Sequence, residues 1–160
     1  MKKPNTRWVF LIWAWLLAAA SACAAPRAFT TASLADIDQA RRGKPFVLLL
    51  WSLDCASCIK EMNGIAAVLA RHPQLDLVMI ATDESARADR VTAVLEKHGL
   101  GAVDSWVFAD PDPQSLRDGI DPSWFGEMPR AYFYDSTHRR TAKSGAVSPE
   151  QLEAWLAAVK

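Results

Sequence analysis

The stretch LLLWSLDCASCIKEM, residues 48–62, joins a hydrophobic run to two cysteines, Cys55 and Cys58, that lie three positions apart. The segment FVLLLW (46–51) is apolar on both faces, which is the pattern of a central β-strand covered on each side. From about Cys55, apolar side chains recur at three- and four-residue spacing, so a helix is predicted that ends before Pro73. The two cysteines are therefore expected at a strand-to-helix junction.

This position has chemical consequences for the cysteine pair. A cysteine in the first turn of a helix meets backbone N–H groups that have no partner within the helix. Together with the helix dipole, these groups favour a thiolate and lower the thiol pKa, and the thiolate is the nucleophile in disulfide exchange. Cys58 lies one turn further along the same face, within reach of a mixed disulfide formed on Cys55. The spacing thus supplies an attacking thiol and a resolving thiol.

Three other interpretations of the pair have less support. A zinc site needs about four ligands, but the chain has three histidines, none in an H-x3–5-H arrangement, and no second C-x-x-C. A permanent disulfide across two residues closes too small a loop to stabilise a fold much. Two idle buried thiols do not account for a cysteine pair placed at a strand-to-helix junction. A metal site is accordingly not predicted.

The rest of the chain alternates predicted strands and helices, which is the pattern of an α/β domain. Further strands are predicted at 75–82, 105–110 and 130–135, with a weak edge strand in TAKSG (141–145). Further helices are predicted at Ser33–Arg42, at Ser85–His98 and from Ser148 onward, where SPEQ is a capping box with proline at the first helical position. A loop with a short helical turn around Leu116 precedes Pro129.

Length and composition indicate one globular domain. The chain has 160 residues, of which 51% are hydrophobic and 22% are charged, so it is not a disordered chain and has enough apolar side chains for a packed interior. Basic and acidic residues number 18 each, and residues 1–25 contain three of the basic ones and none of the acidic ones. The remainder, with 15 basic and 18 acidic residues, has a formal charge of −3, which is not the electrostatic footprint of a nucleic-acid-binding protein.

Residues 1–25 have the pattern of a secretory signal peptide, with a basic beginning, the apolar run WVFLIWAWLLAAA and the small residues SACAA for cleavage. An uncleaved membrane anchor is the alternative, because the 18 residues Trp8–Ala25 approach the length that spans a bilayer. The sequence around Cys23 also resembles the lipobox of bacterial lipoproteins, which gives a third, lipidated form. In all three forms the remaining chain is expected to be exported. That remainder is expected to consist of a linker at 26–33 and a domain at 34–160.

The segment 46–62 resembles the active-site segment of the thioredoxin superfamily, in which a buried strand, a tryptophan four residues before the first cysteine, and a C-x-x-C opening a helix follow one another. It is most similar to the exported TlpA-like and ResA-like branch and to the reductants of cytochrome c maturation, which often have C-x-x-C-x-x-E. Glu61 fills that last position. Met128-Pro129, before the strand RAYFYD, resembles the cis-proline segment that faces the C-x-x-C. The 70 residues between Cys58 and Pro129 suit this branch.

The resemblance covers about residues 34–159 and implies a thioredoxin-like α/β fold, with a central mixed sheet of about four to five strands flanked by helices. It implies a thiol:disulfide oxidoreductase that acts on protein disulfides and, within this branch, a reductant. No bound cofactor is implied, because electrons would pass from a membrane redox partner by dithiol exchange. The protein would act in the periplasm or at the outer face of the bacterial cytoplasmic membrane.

Roles for individual residues follow from the resemblance. Cys55 would attack the substrate disulfide and Cys58 would resolve the mixed disulfide. Glu61, one helical turn after Cys58, would exchange a proton with that thiol, although a solvated surface glutamate is equally consistent with the sequence. Met128 and Pro129 would bind substrate, with the Met128 backbone pairing to an extended strand beside a cis peptide bond. The alternative is that Pro129 only begins an edge strand.

Asp54 departs from the family pattern, since many relatives have tryptophan or another uncharged residue at that position. A carboxylate beside Cys55 opposes thiolate formation; alternatively, Asp54 is the N-cap of the helix. Trp124 and Phe125, ahead of Pro129, would either form an apolar rim for a protein substrate or pack in the core.

A second hypothesis belongs to another functional class. On this fold the chain would be a binding module or chaperone for copper, haem or an apoprotein. Copper chaperones of related fold use C-x-x-x-C with a distant histidine, whereas here the spacing is C-x-x-C and His138 lies in a predicted turn.

Overall fold

The computed structural model describes residues 25–159, which form one six-stranded mixed sheet with helices on both faces. The strands are β1 (Arg27–Phe29), β2 (Phe46–Trp51), β3 (Leu77–Glu84), β4 (Asp104–Phe108), β5 (Arg130–Tyr134) and β6 (Arg140–Ser144). The helices are α1 (Ser33–Ala40), α2 (Ala56–Arg71), α3 (Ala88–Lys97), α4 (Pro113–Ile120) and α5 (Pro149–Ala158). The strand order is β1-β4-β3-β2-β5-β6, so the predicted α/β architecture with a central mixed sheet is confirmed.

The core is organised around β2, all six of whose residues are buried. β2 pairs in parallel with β3 and antiparallel with β5, and its side chains alternate between two hydrophobic clusters. Val47, Leu49 and Trp51 pack on the side of α2, α3 and α5, and Phe46, Leu48 and Leu50 on the side of α1 and α4. The continuous apolar run in the sequence therefore corresponds to a strand covered on both faces, as predicted.

Two sequence-based expectations need correction. The segment 26–33, expected to be a linker, contains β1, which pairs with β4 and raises the strand number to six. Phe29 holds this strand because its buried ring stacks on Phe108 with ring centroids 5.6 Å apart. Three residues are too few for a period-two pattern to be recognised in a sequence. The turn expected around Leu116 is the eight-residue helix α4, capped by Asp112.

The predicted signal peptide or anchor of residues 1–25, including Cys23, lies outside the described residues apart from Ala25. Within residues 25–159, none of the helices has the length and apolar character needed to cross a bilayer.

The loop 121–129, between α4 and β5, is anchored by a buried ion pair. Asp121 accepts hydrogen bonds from Arg130 Nη2 at 3.0 Å and from the Tyr132 hydroxyl at 2.9 Å, and its other oxygen accepts from the hydroxyl and the backbone N–H of Ser123. Burial alone would raise the pKa of Asp121, but these hydrogen bonds hold it below its ordinary value. Burial raises the pKa of Tyr132 to about 12, so the phenol remains a donor. The pair therefore fixes the loop where it enters β5.

We expect Asp121→Ala to lower the free energy of unfolding at pH 7 by about 3 kcal/mol, because it leaves the Arg130 guanidinium without its buried partner. Asp118→Ala, which removes an exposed carboxylate from α4, should change it by less than ~0.5 kcal/mol. Since the folded-state pKa of Asp121 is depressed, its contribution is fully present above the unfolded carboxyl pKa of about 3.9 and is lost progressively below it. Urea unfolding at pH 7 and pH 3 measures both effects, and equal losses in the two variants would contradict a buried ion pair.

Candidate active site

Cys55 lies where the chain passes from the carboxyl end of β2 into α2. It is the N-cap residue of the helix, with an extended backbone, and its sulfur accepts a hydrogen bond from the Cys58 N–H at 3.2 Å. The predicted helix start is therefore confirmed. The alternative in which Asp54 caps the helix is wrong, because the capping atom is the cysteine sulfur itself.

Cys55 and Cys58 are joined by a disulfide bond, with Cα atoms 5.3 Å apart, so this is the oxidised form of the pair. Cys58 is 1% exposed and belongs to the core beneath α2, whereas Cys55 is half-buried and reaches the surface. The Ser57 hydroxyl lies 3.4 Å from the Cys55 sulfur and adds a second polar group to the Cys58 N–H. The first cysteine is thus the more exposed of the two, and the second lies in the core beneath α2.

Glu61 lies one turn after Cys58 and is not a solvated surface residue. Its carboxylate is half-buried and accepts a hydrogen bond from the Val147 N–H at 2.8 Å, in the segment that leads into α5. Burial raises the pKa of Glu61 to about 6, although the Val147 bond and the charge of Lys143 partly oppose this. A carboxyl group with such a pKa can both release and accept a proton near neutral pH. The surface-glutamate alternative is therefore wrong.

The Met128–Pro129 peptide bond is cis, as the family resemblance implies. In the antiparallel pairing of β5 with β2, Arg130 is opposite Leu50, which places Pro129 beside the carboxyl end of β2. Cys55 comes shortly after the same end of β2, so Pro129 and Cys55 lie at the same end of the sheet. The Met128 sulfur lies 3.5 Å from the Thr82 hydroxyl, and its side chain packs against both hydrophobic clusters.

The two aromatic residues ahead of Met128 have opposite environments. Trp124 is buried, and its indole N–H donates to the carbonyl of Glu127 at 2.8 Å. Phe125 is 94% exposed, and it is the one large hydrophobic side chain exposed among residues 25–159. Trp124 therefore packs in the core, the second of the two uses considered above, whereas Phe125 lies on the surface of the loop.

Two charged residues that support the turn before Cys55 were not predicted from the sequence. Asp83 is buried near the end of β3, and Arg87 forms an ion pair with it and with Asp54. The available signal was an acidic residue near the carboxyl end of an otherwise buried strand, since that end of a parallel sheet is where ligand sites lie. The strand was expected to end at Thr82, but it continues to Glu84.

Within residues 25–159, no three or more histidine, cysteine, aspartate or glutamate side chains form a group that could hold a metal ion. The hypothesis of a binding module for copper, haem or an apoprotein stays a prediction.

Neither a protein-family model nor a curated protein matches this sequence. Among solved structures, a secreted Mycobacterium tuberculosis disulfide oxidoreductase homologous to E. coli DsbE is 25% identical, with a TM-score of 0.61 over 75% of this chain and 85% of that chain. StoA from Bacillus subtilis is 17% identical, with a TM-score of 0.54 over 72% and 84%. A thiol:disulfide interchange protein of the thioredoxin family from Chlorobium tepidum is 15% identical, with a TM-score of 0.59 over 76% and 83%.

These neighbours share the sheet and helix arrangement of the described residues across most of their own length. In this chain the arrangement carries a C-x-x-C disulfide at the start of α2 and a cis-proline at the start of β5. The described residues therefore have the thioredoxin-like fold that these solved structures share.

Proposed function

We propose that the protein is an exported thiol:disulfide oxidoreductase that reduces disulfides in protein substrates. The observation that carries this proposal is the unequal exposure of the cysteine pair, with Cys55 at the surface and Cys58 in the core. A thiolate at Cys55 would keep the Cys58 N–H and the Ser57 hydroxyl as its polar neighbours. Both groups, together with the N-terminal end of α2, stabilise negative charge on sulfur.

The reaction needs the pair in its dithiol form. The Cys55 thiolate attacks one sulfur of a substrate disulfide, so that a Cys55–substrate bond forms and the substrate's second sulfur leaves as a thiolate. Cys58, after losing its proton, attacks the Cys55 sulfur and releases the first substrate sulfur. The substrate has then gained two electrons and takes up two protons, and the protein holds the Cys55–Cys58 disulfide seen here. A partner dithiol returns the two electrons.

We assign to Glu61 the role of accepting the proton that the Cys58 thiol loses before it attacks. It lies on the same helical face, one turn further on, and its raised pKa suits a base that works near neutral pH. In the oxidised form its carboxylate is held by the Val147 N–H, so it is already oriented by the protein.

Substrate would dock beside the cis peptide bond. An extended segment could pair with the Met128 backbone while its disulfide meets Cys55, with Pro129 leaving that edge free of an N–H of its own. Phe125, on the same loop, would contact an apolar side chain near the substrate cysteine. Nucleic acid is not an expected partner, since the charge of residues 26–160 is slightly negative.

Export is supported by the N-terminal sequence and by the description of the M. tuberculosis neighbour as secreted. The site of action would be the periplasm or the outer face of the cytoplasmic membrane, with residues 1–25 as a cleaved signal, an anchor or a lipidated segment through Cys23. A membrane redox protein would supply electrons from the cytoplasmic side.

Cys58→Ala should trap a mixed disulfide between Cys55 and its protein substrates, because the resolving thiol is missing. Cys55→Ala, the matched control, should trap none through the buried Cys58. The wild type should reduce insulin disulfides when a dithiol regenerates it, and both variants should be inactive. Non-reducing gels with mass spectrometry identify the adducts. An absence of adducts together with an inactive wild type would overturn the proposed function.

Glu61→Gln should slow the resolution step by about 10²-fold at pH 7, the lower end of what a positioned base contributes. In the wild type this rate should rise with pH through a step near the Glu61 pKa of about 6, because the carboxylate is the active form. The variant should lack the step. Glu96→Gln, an exposed change on α3, is the control and should keep it. Stopped-flow measurement of mixed-disulfide decay gives both profiles; an unchanged step in Glu61→Gln would remove the assigned role.

Phe125→Ser should raise KM for protein disulfides by about tenfold, which corresponds to ~1.4 kcal/mol for loss of one exposed aromatic contact. The rate with a small disulfide such as oxidised glutathione should stay within about twofold, since a small molecule lacks the extended segment that would contact Phe125. Since Phe125 is 94% exposed, the fold should be unaffected, and circular dichroism checks this. Equal losses with the large and the small substrate would contradict a docking role.

A further inference from the structure

The turn that delivers Cys55 is fixed by a buried carboxylate from the neighbouring strand. The side chain of Asp83 is 1% exposed. One of its oxygens accepts the Leu53 N–H at 2.9 Å, and the other lies 3.4 Å from the Ser52 hydroxyl, which itself accepts the Asp54 N–H. Because a buried carboxylate is costly unless its oxygens are bonded, this arrangement strongly favours one conformation of the turn.

Arg87 joins this buried carboxylate to the residue next to Cys55. Its Nη1 lies 2.7 Å from Asp83 Oδ1 and 2.7 Å from Asp54 Oδ2, and its Nη2 lies 3.2 Å from Asp54 Oδ1. Asp54 itself is 75% exposed, and the bond from Arg87 lowers its pKa. We name Asp54, Asp83 and Arg87 the charge clamp.

The charge clamp places opposing charges on the turn that leads into Cys55. Two carboxylates and one guanidinium leave a net charge of −1, whereas without Arg87 the two carboxylates would act together. A negative charge next to a thiol raises its pKa, and a positive charge lowers it. Two further charged residues act on the clamp, Arg90 on Asp54 and Glu84 on Arg87, and they are of opposite sign.

We infer that the charge clamp is a positioning and tuning device for Cys55, in which Asp83 holds the turn and Arg87 offsets the Asp54 carboxylate so that the thiolate forms at neutral pH. The inference rests on the proposed function, since it concerns the reactivity of the same cysteine. It also assigns a use to Asp54, which the family resemblance leaves without one.

Two substitutions separate this role from ordinary stabilisation, because they change the local charge in opposite directions. Arg87→Gln removes the guanidinium that contacts both Asp54 and Asp83 and should raise the Cys55 pKa by about half a unit, a modest shift because Asp54 is solvated and Arg90 still acts on it. Asp54→Asn removes one negative charge and should lower the pKa by a similar amount. Arg87→Lys keeps the positive charge and should leave the Cys55 pKa close to its wild-type value. If Arg87 and Asp54 only stabilised the fold, Arg87→Gln and Asp54→Asn would both lower stability and leave the Cys55 pKa unchanged.

The measurement is the rate of alkylation of Cys55 by iodoacetamide from pH 5 to 10, on the full chain in a Cys58→Ala background, read by mass spectrometry of the peptide that contains it. Below the pKa, Arg87→Gln should react about threefold more slowly and Asp54→Asn about threefold faster than the parent. Arg71→Gln is the control. It breaks the Arg71–Glu153 ion pair at the opposite end of α2, about 24 Å away, and should leave the pKa unchanged.

Shifts in the same direction in Arg87→Gln and Asp54→Asn, or no shift in either, would overturn the inference. Failure of the proposed function is a separate outcome, because it appears as an inactive wild type in the insulin assay while the alkylation profile is measured without any substrate.

Discussion

The hydrogen bond from the Cys58 N–H to the Cys55 sulfur is the interaction on which the site depends. It exists because β2 is buried on both faces and therefore ends at a fixed point, from which a short turn leads into α2. A helix that began one residue later would take the sulfur away from the unpaired N–H groups. The chemistry of the pair is thus a consequence of where a hydrophobic strand stops.

Around this bond the protein divides its polar groups between two tasks. On one side, Asp83 binds the Leu53 N–H in the turn before Cys55, and Arg87 offsets the charge of Asp54 and Asp83. On the other, Glu61 is held half-buried by a backbone group ahead of α5, within one turn of the second cysteine. The charged groups near Cys55 therefore come from β3 and the segment after it, whereas the one near Cys58 comes from α2 itself.

Much of this could be predicted from the sequence, because it depends on local patterns. The apolar run of β2 and the helix start at Cys55 follow from short motifs, whereas the cis peptide bond at Pro129 was implied by the family resemblance. The charge clamp did not follow from such motifs, since its Asp54–Arg87 contact and the Leu53–Asp83 hydrogen bond join positions 33 and 30 residues apart, whose proximity is set by the pairing of β2 with β3. The burial of Glu61 depends on Val147, 86 residues further along. β1 was missed because its three residues carry no recognisable period.

The two edges of the sheet have a bearing on solubility. β1 offers only three residues to a neighbouring molecule, and β6 is an exposed strand that carries Arg140 and Lys143. Short or charged edges discourage edge-to-edge association between copies of a protein. Under the proposed function, an extended substrate segment pairs beside Met128, whereas the short and charged edges of the sheet disfavour pairing between copies of the protein. The proposed docking surface is thereby separate from the edges at which fibril-like self-assembly could begin.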